Sequence, residues 1–343
     1  MTNQGKYREA LGELTKLEEE NKKEIKKAIA ENRIFIWISA RIDFQTGLIK
    51  QAEGLFAESI SFFISALTKA FEIKEYKLVA LSYYELDYSY GMIGDSQNGY
   101  EKTKNAVEYA ESYYPEILFK IHLNLGNFLA DIGKKNEAEI EYRKAIEEQP
   151  DLAEAHNNLG LLLIELKRNA EAENEFIEAV RYRPDYASAH YNFGLLLDKA
   201  GRNEEAEKEY RKCINYEPRH VSAHNNLGTI LADLGRKNEA EKEIREAIKI
   251  GPNDSVVHNN LGFLLYELGR MEDAEREFYE AIKIKPDYIK AYRNLGILYA
   301  DWGKDEKAIE MFEKILEYKA NLSDKEEELI LAVLNELLIK KSK

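Results

Sequence analysis

Five of the six histidines, His122, His156, His190, His224 and His258, stand 34 residues apart. A row of imidazoles is the material of a metal array, but the interval argues against one. If each lies in its own helix of a stack, neighbours are about 8–10 Å apart, whereas the ligands of one zinc ion sit about 2 Å from it. Successive histidines then cannot share an ion. Packing is the expected role, with Tyr292 in the same place of the next unit. Cys213, the lone cysteine, falls where four other units carry alanine, which suits a small buried residue and not a nucleophile. It also excludes an internal disulfide and fits a reducing compartment. The chain has no glycine-rich phosphate loop, zinc-ligand spacing or nucleophile elbow. Among 63 acidic residues, adjacent carboxylates are uninformative. No catalytic residue, metal site or cofactor is expected.

A second row keeps the same interval: Asn124, Asn158, Asn192, Asn226, Asn260 and Asn294. Asparagine is a poor interior helix residue because its amide competes for backbone bonds, so six repetitions call for a reason. An amide offers both donor and acceptor. A row of them suits gripping an extended peptide's backbone without reading its side chains. The alternatives are an inert residue copied by duplication, or amides that bond locally between units.

The elements that carry these rows follow from the other residues in phase. Pro150, Pro184, Pro218, Pro252 and Pro286 are spaced by 34 residues, as are Gly126, Gly160, Gly194, Gly228, Gly262 and Gly296, and Ala138, Ala172, Ala206, Ala240, Ala274 and Ala308. Proline closes a helix and pushes the residue before it out of the α region. The following Asp151, Asp185, Asn253 or Asp287 is placed to cap the next helix. The glycine lets a second helix approach, with the alanine twelve residues on facing it. Gly133, Gly201, Gly235, Gly269 and Gly303 stand where the first helix should end in a left-handed turn. Each unit is thus a helix hairpin that must bury its apolar face on the next.

Numbered from residue 119, the units have small residues at the eighth, twentieth and twenty-seventh places, an aromatic at the twenty-fourth (Tyr142, Phe176, Tyr210, Phe278, Phe312, with Ile244 the exception) and proline at the thirty-second. This pattern resembles the tetratricopeptide repeat, as found in stand-alone prokaryotic arrays and in the repeat region of O-linked N-acetylglucosamine transferases. The resemblance implies an all-α fold, a right-handed α-solenoid of antiparallel helix hairpins, and a non-enzymatic role in binding proteins. Places 2, 5, 6, 9, 12 and 13 share one helix face, which in the family lines the concave groove. In the transferases an asparagine ladder there holds the peptide. The family's other scheme, a lysine and asparagine clamp for a terminal carboxylate, is not matched here.

Place five, beside the asparagine row, holds Leu123, Asn157, Tyr191, Asn225, Asn259 and Arg293. Place thirteen is mostly acidic, with Asp131, Glu165, Lys199, Asp233, Glu267 and Asp301. It either favours a basic or neutral peptide or pairs with Lys134, Arg168, Arg202, Arg236, Arg270 and Lys304 three residues on, the reading preferred from spacing. Upstream, Tyr84 and Tyr88 fall one turn apart on one helix face, as recognition residues or as core filling.

The expected organisation is a leading helical segment over 1–39, two longer, degenerate repeats over 40–118, six regular repeats over 119–322, and a capping helix over 323–343. In that cap Leu329, Val333, Leu337 and Leu338 are expected to form the buried stripe. The chain's 343 residues carry a net charge of −14, which disfavours nucleic acid and anionic membrane surfaces as partners. No leader and no membrane-spanning run is evident, so a cytoplasmic location is expected. A protein or peptide is the expected partner. Self-association through the terminal helices, as a structural scaffold, is the alternative.

Overall fold

The first helix of each regular pair ends in a left-handed turn, and each pair of helices folds back into a hairpin. The computed structural model describes residues 33–318 and 322–341, which contain seventeen α-helices, one 3-10 turn and no strand. The leading stretch with Tyr7, Leu11 and Leu14 lies outside the described residues. The chain divides into two compact units, Met1–Tyr182 and Arg183–Lys343.

The first unit has four hairpins: α1 (Arg33–Ala52) with α2 (Phe56–Ile73), α3 (Tyr76–Met92) with α4 (Ser96–Tyr113), α5 (Leu118–Asp131) with α6 (Lys135–Glu148), and α7 (Ala153–Glu165) with α8 (Asn169–Tyr182). The 3-10 turn Pro115–Ile117 precedes α5. The boundary expected at residue 40 falls inside α1. The first four helices are 17 to 20 residues long against 13 or 14 in the later pairs, which accounts for the longer upstream spacing. Their core is built from Ala40, Phe44, Phe63, Ala66, Leu78 and Leu86.

The second unit has α9 (Ala187–Lys199) with α10 (Asn203–Tyr216), α11 (Val221–Asp233) with α12 (Lys237–Ile250), α13 (Ser255–Glu267) with α14 (Met271–Ile284), and α15 (Ile289–Asp301) with α16 (Asp305–Glu317). A last helix, α17 (Asp324–Lys341), packs on α16. Within each unit, successive first helices also touch: α5 meets α7, α11 meets α13, and α13 meets α15.

Glycine does two jobs here. At Gly133, Gly201, Gly235, Gly269 and Gly303, φ lies between +73° and +80°, where the next N–H turns back to the helix end, as Lys134 N does to Leu129 O at 2.7 Å. The second repeat has Lys167 there, at φ +61°. The eighth-place glycines make room for the ring at place 24: a Cβ on Gly160 would lie 2.8 Å from Phe176 Cε1, and one on Gly126 2.5 Å from Tyr142 Cε1. The facing group is therefore the ring sixteen residues on, ahead of the alanine expected from spacing.

Two local expectations are corrected. Asp151, Asp185 and Asp287 do not cap the following helices, because they sit inside the turn that proline opens. That turn closes by backbone bonds such as Leu152 N to Gln149 O at 3.1 Å, and the capping position falls on Leu152, Tyr186 and Tyr288, none of which makes a side-chain cap hydrogen bond. Only α11 and α13 have side-chain caps among these, from His220 and from Asp254, which likewise displaces Asn253. In α17 the buried stripe is Ile330, Leu334 and Leu337, while Leu329, Leu331, Leu338 and Ile339 face outward. The helix is apolar on both sides, so its sequence pattern admits either phase. Its start is a capping box, with Glu326 N on Ser323 Oγ at 3.4 Å and Ser323 N on Glu326 Oε2 at 3.0 Å.

Candidate functional site

The asparagine row lies on the first helices of the hairpins, half-buried at every position from Asn124 to Asn294. Its amides are bonded, mostly to the preceding repeat. Asn260 Nδ2 donates to Asn225 Oδ1 at 3.0 Å and Asn294 Nδ2 to Asn259 Oδ1 at 3.0 Å. In turn the place-five amides donate within their own repeat, Asn157 to Asn158 at 3.0 Å, Asn225 to Asn226 at 3.1 Å and Asn259 to Asn260 at 3.4 Å. Where place five is not asparagine, another acceptor replaces it. Asn158 Nδ2 uses Asn127 Oδ1 at 2.9 Å, and Asn124 Nδ2 uses Asp87 Oδ2 at 2.6 Å. The row therefore ties repeat to repeat.

This changes the standing of place five. Asn157, Asn225 and Asn259 are 4%, 6% and 5% exposed, so they support the row from behind, and Asn259 also reaches the floor of a cleft described below. Tyr191 is half-buried, its ring 4.6 Å from that of His220 and 6.0 Å from that of Tyr210. Upstream, Tyr84 is half-buried, its pKa raised chiefly by burial, then by the charges of Glu85 and Asp87. Tyr88 is exposed and meets Phe56 edge-on, centroids 6.0 Å apart.

An amide has two N–H groups and two acceptor lone pairs. At Asn260 the bonds to Asn225 and Asn259 use one of each. Beside it the second unit has a cleft of about 270 Å³ lined by Thr229, Asp233, Asn260, Phe263, Glu267 and Asn294 among others. Phe263 is 46% exposed, and Ile297, at the same place of the next repeat, 41%. Large apolar side chains open to solvent next to amides with spare bonding capacity are what a polypeptide-binding surface needs.

The acidic place thirteen does not pair with the basic residue three positions on. Those arginines turn forward and across instead. Arg168 holds Glu171 at 2.6 Å and Glu139 of the preceding repeat at 2.6 Å, and Arg236 does the same with Glu239 and Glu207. Left-handed turns at Lys167 and Gly235 carry the arginine away from the first helix's end. Of the acids, Glu165 pairs with Lys135 at 3.0 Å and Glu267 with Lys237 at 3.1 Å, while Asp301 accepts from Tyr266.

The histidines are buried, as packing requires, but they are also bridges, a role that sequence reasoning missed. Nδ1 of His122, His156, His190, His224 and His258 lies 2.6–2.7 Å from Glu141, Glu175, Glu209, Glu243 and Glu277 on the second helix of the same hairpin. Nε2 of the last four lies 2.8–3.2 Å from the carbonyl of Pro150, Pro184, Pro218 or Pro252. A carboxylate and a carbonyl only accept, so at His156, His224 and His258 the two contacts favour hydrogen on both ring nitrogens and the charged imidazolium. At His224 and His258 the glutamate bond raises the pKa against burial. At His156 burial is the largest influence and lowers it, but Glu175 and the Pro150 carbonyl together outweigh it. The signal was present in the sixth repeat, where Tyr292 replaces the histidine and Met311 the glutamate together. No group of histidine, cysteine or acidic side chains among the described residues is arranged to hold a metal ion. Burial pushes the Cys213 thiol up to about 12.

The described residues form an all-α array of paired helices with a bonded amide row and an open cleft beside it. Models of the tetratricopeptide repeat match residues 123–180, 157–217, 191–255 and 253–320, more than half of the chain, and the chain belongs to that family. Its repeats make it a protein–protein interaction or scaffolding module, a fold that typically carries no catalysis. No curated protein matches the sequence. Among solved structures, a tetratricopeptide repeat protein from Parabacteroides merdae ATCC 43184 is similar with a TM-score of 0.55 at 20% identity, over 76% of this chain and 98% of that one. Pseudomonas aeruginosa PilF gives 0.52 at 18%, over 60% and 99%. YrrB, described as a tetratricopeptide repeat protein with an unusual peptide-binding site, gives 0.46 at 24%, over 56% and 96%. At such identities the likeness shows the fold alone. No helix among the described residues is long and apolar enough to cross a membrane.

Proposed function

We propose that the protein is an adaptor that holds an extended peptide or protein segment along the first-helix face, with the asparagine row bonding its backbone. The observation that supports this most is the bonding at Asn260. One bond to the preceding repeat and one from Asn259 of its own repeat fix the amide's orientation and leave one donor and one acceptor beside an open cleft. A fixed amide loses little entropy on binding, which is the usual cost of holding an extended chain.

The test separates contact from scaffolding. One variant changes Asn158, Asn192, Asn226 and Asn260 to alanine. A control changes the buried Asn225 to alanine, which removes the Asn260 inter-repeat bond but keeps the row and the cleft lining. Each lost bond costs about 0.5–1.5 kcal/mol, so both should stay helical with lowered stability. Polypeptides captured from native lysate by the wild type should be lost on the row variant and kept by the control. Equal capture by all three sinks the ladder reading.

A second reading, self-association as a structural scaffold, is favoured by the outward Leu331, Leu338 and Ile339 of α17. A sedimentation coefficient constant across micromolar concentrations removes it.

A further inference from the structure

The second unit presents more than amides, and its side chains differ from repeat to repeat in a definite order. Asp198 on α9 and Asp233 on α11 come first, and neither is in an ion pair among the described residues, unlike Glu267, which Lys237 neutralises. Asp233 is exposed at the rim of the cleft. The two carboxylates sense one another: the pKa of Asp198 is raised by burial first and by the charge of Asp233 second. Phe263 on α13 follows, beside Asn260 in the cleft, and then Ile297 on α15 beside Asn294. From α11 to α15 the chemistry is therefore acidic, apolar, apolar, one step per repeat, and Asp198 of α9 adds to the acidic end.

The step length selects the ligand's conformation. Successive packed helices are about 8–10 Å apart. A β-strand rises about 3.3 Å per residue with alternating faces, so its same-face side chains recur at about 6.6 Å and drift out of register within two repeats. A polyproline II helix has three residues per turn at about 3.1 Å each, so same-face side chains recur at about 9.3 Å. It also makes no internal hydrogen bonds, which leaves its N–H and C=O groups for asparagine amides. One ligand turn per repeat is the match.

Resting on the reading that this face binds polypeptide, we infer that the second unit selects a segment in the polyproline II conformation with side chains three residues apart in the order basic, apolar, apolar. A lysine or arginine lies by Asp198 and Asp233, an aliphatic or aromatic residue by Phe263, and a second apolar residue by Ile297. The unpaired carboxylates supply the charge complementarity, and the open cleft supplies the apolar anchor.

The full-length protein is titrated by fluorescence anisotropy with blocked, labelled eleven-residue peptides of serine and threonine carrying three substitutions. The first has Lys-x-x-Leu-x-x-Leu, and its reverse order covers the other chain direction. The second replaces the lysine by glutamate, the third uses Lys-x-Leu-x-Leu, and the fourth has no substitution. The better of the two first-type peptides should bind at least ten-fold more tightly than the second and third. Asp198→Asn with Asp233→Asn should abolish the preference for lysine over glutamate with circular dichroism unchanged. If the fourth peptide binds as tightly as the first, the face holds backbone without reading side chains. If the period-two peptide wins, the conformation is wrong. Either result overturns this inference and leaves the adaptor reading standing. If no peptide binds, both fall.

Discussion

Asp87 is a carboxylate in the wrong place. It is fully buried on α3, accepts Asn124 Nδ2 at 2.6 Å on one oxygen, and its second oxygen has no partner. It is in no ion pair among the described residues. Burial pushes its pKa up to about 7 from the usual 3.8, with the neighbouring Glu85 charge adding to the rise against the Asn124 bond. In the regular repeats the same acceptor is an asparagine, Asn225 for Asn260 and Asn259 for Asn294. Asp87→Asn therefore extends the amide ladder into the long repeats.

A shift of about three pH units is worth about 4 kcal/mol of destabilisation when the group is ionised in both states. Against that, the new amide places N–H groups where the unpartnered oxygen was, at a cost of about 1–3 kcal/mol. The net gain expected at pH 8 is about 1–3 kcal/mol. The sign follows from a raised acid pKa: below about 3.8 both states are protonated and the penalty is absent, and it grows until the folded carboxylate ionises near 7. From pH 8 to pH 5 the variant's advantage should fall by about 2–3 kcal/mol. Urea unfolding of both proteins, followed by circular dichroism at several pH values, reads this directly. Because an array can unfold in parts, the early phase carrying the longer repeats is compared. A midpoint shift that is the same at pH 5 and pH 8 would refute the reasoning.

Other expectations use the same measurement. His156, His224 and His258 have pKa values raised above 6.5, so their contribution is full below that pH and lost as pH rises through the folded values. Importing the sixth repeat's pair, His258→Tyr with Glu277→Met, should fold and flatten part of that loss, whereas Glu277→Met alone should cost about 1.5–3 kcal/mol by stranding the imidazole. Gly160→Ala should lower stability by about 1–3 kcal/mol despite its better helix propensity, because its Cβ meets Phe176, and Phe176→Leu in the same chain should recover part of the loss. Lys167→Gly should raise stability by about 1 kcal/mol, since Lys167 holds φ +61° where glycine closes the seven other hairpins, and no gain in melting temperature would count against it.

What the sequence made legible was whatever recurs. Six repetitions of proline, glycine and alanine at one interval are enough to define hairpins, their left-handed ends and their shared faces, because each recurrence tests the same steric requirement again. The histidine and glutamate pair was readable by the same logic, but only through its exception, the joint change to Tyr292 and Met311. The asparagine row marks where periodicity stops informing. Its interval is equally compatible with a ligand contact and with an inter-repeat bond, and the structure shows one donor of Asn260 bonded to the preceding repeat and one acceptor bonded within its own. Singular features had no repetition behind them. The phase of α17 was ambiguous because both of its faces are apolar, and Asp87 lies in a long repeat with no in-phase copy. The one-residue error in the caps has a different cause, since backbone bonds within the proline turn satisfy the helix end before a side chain is needed. It follows that the residues most specific to this chain, Asp87 beneath the ladder and Asp198, Asp233 and Phe263 on its open face, are those where the repeats stop agreeing with one another. The agreement builds the array, and the disagreement gives a ligand something to choose between.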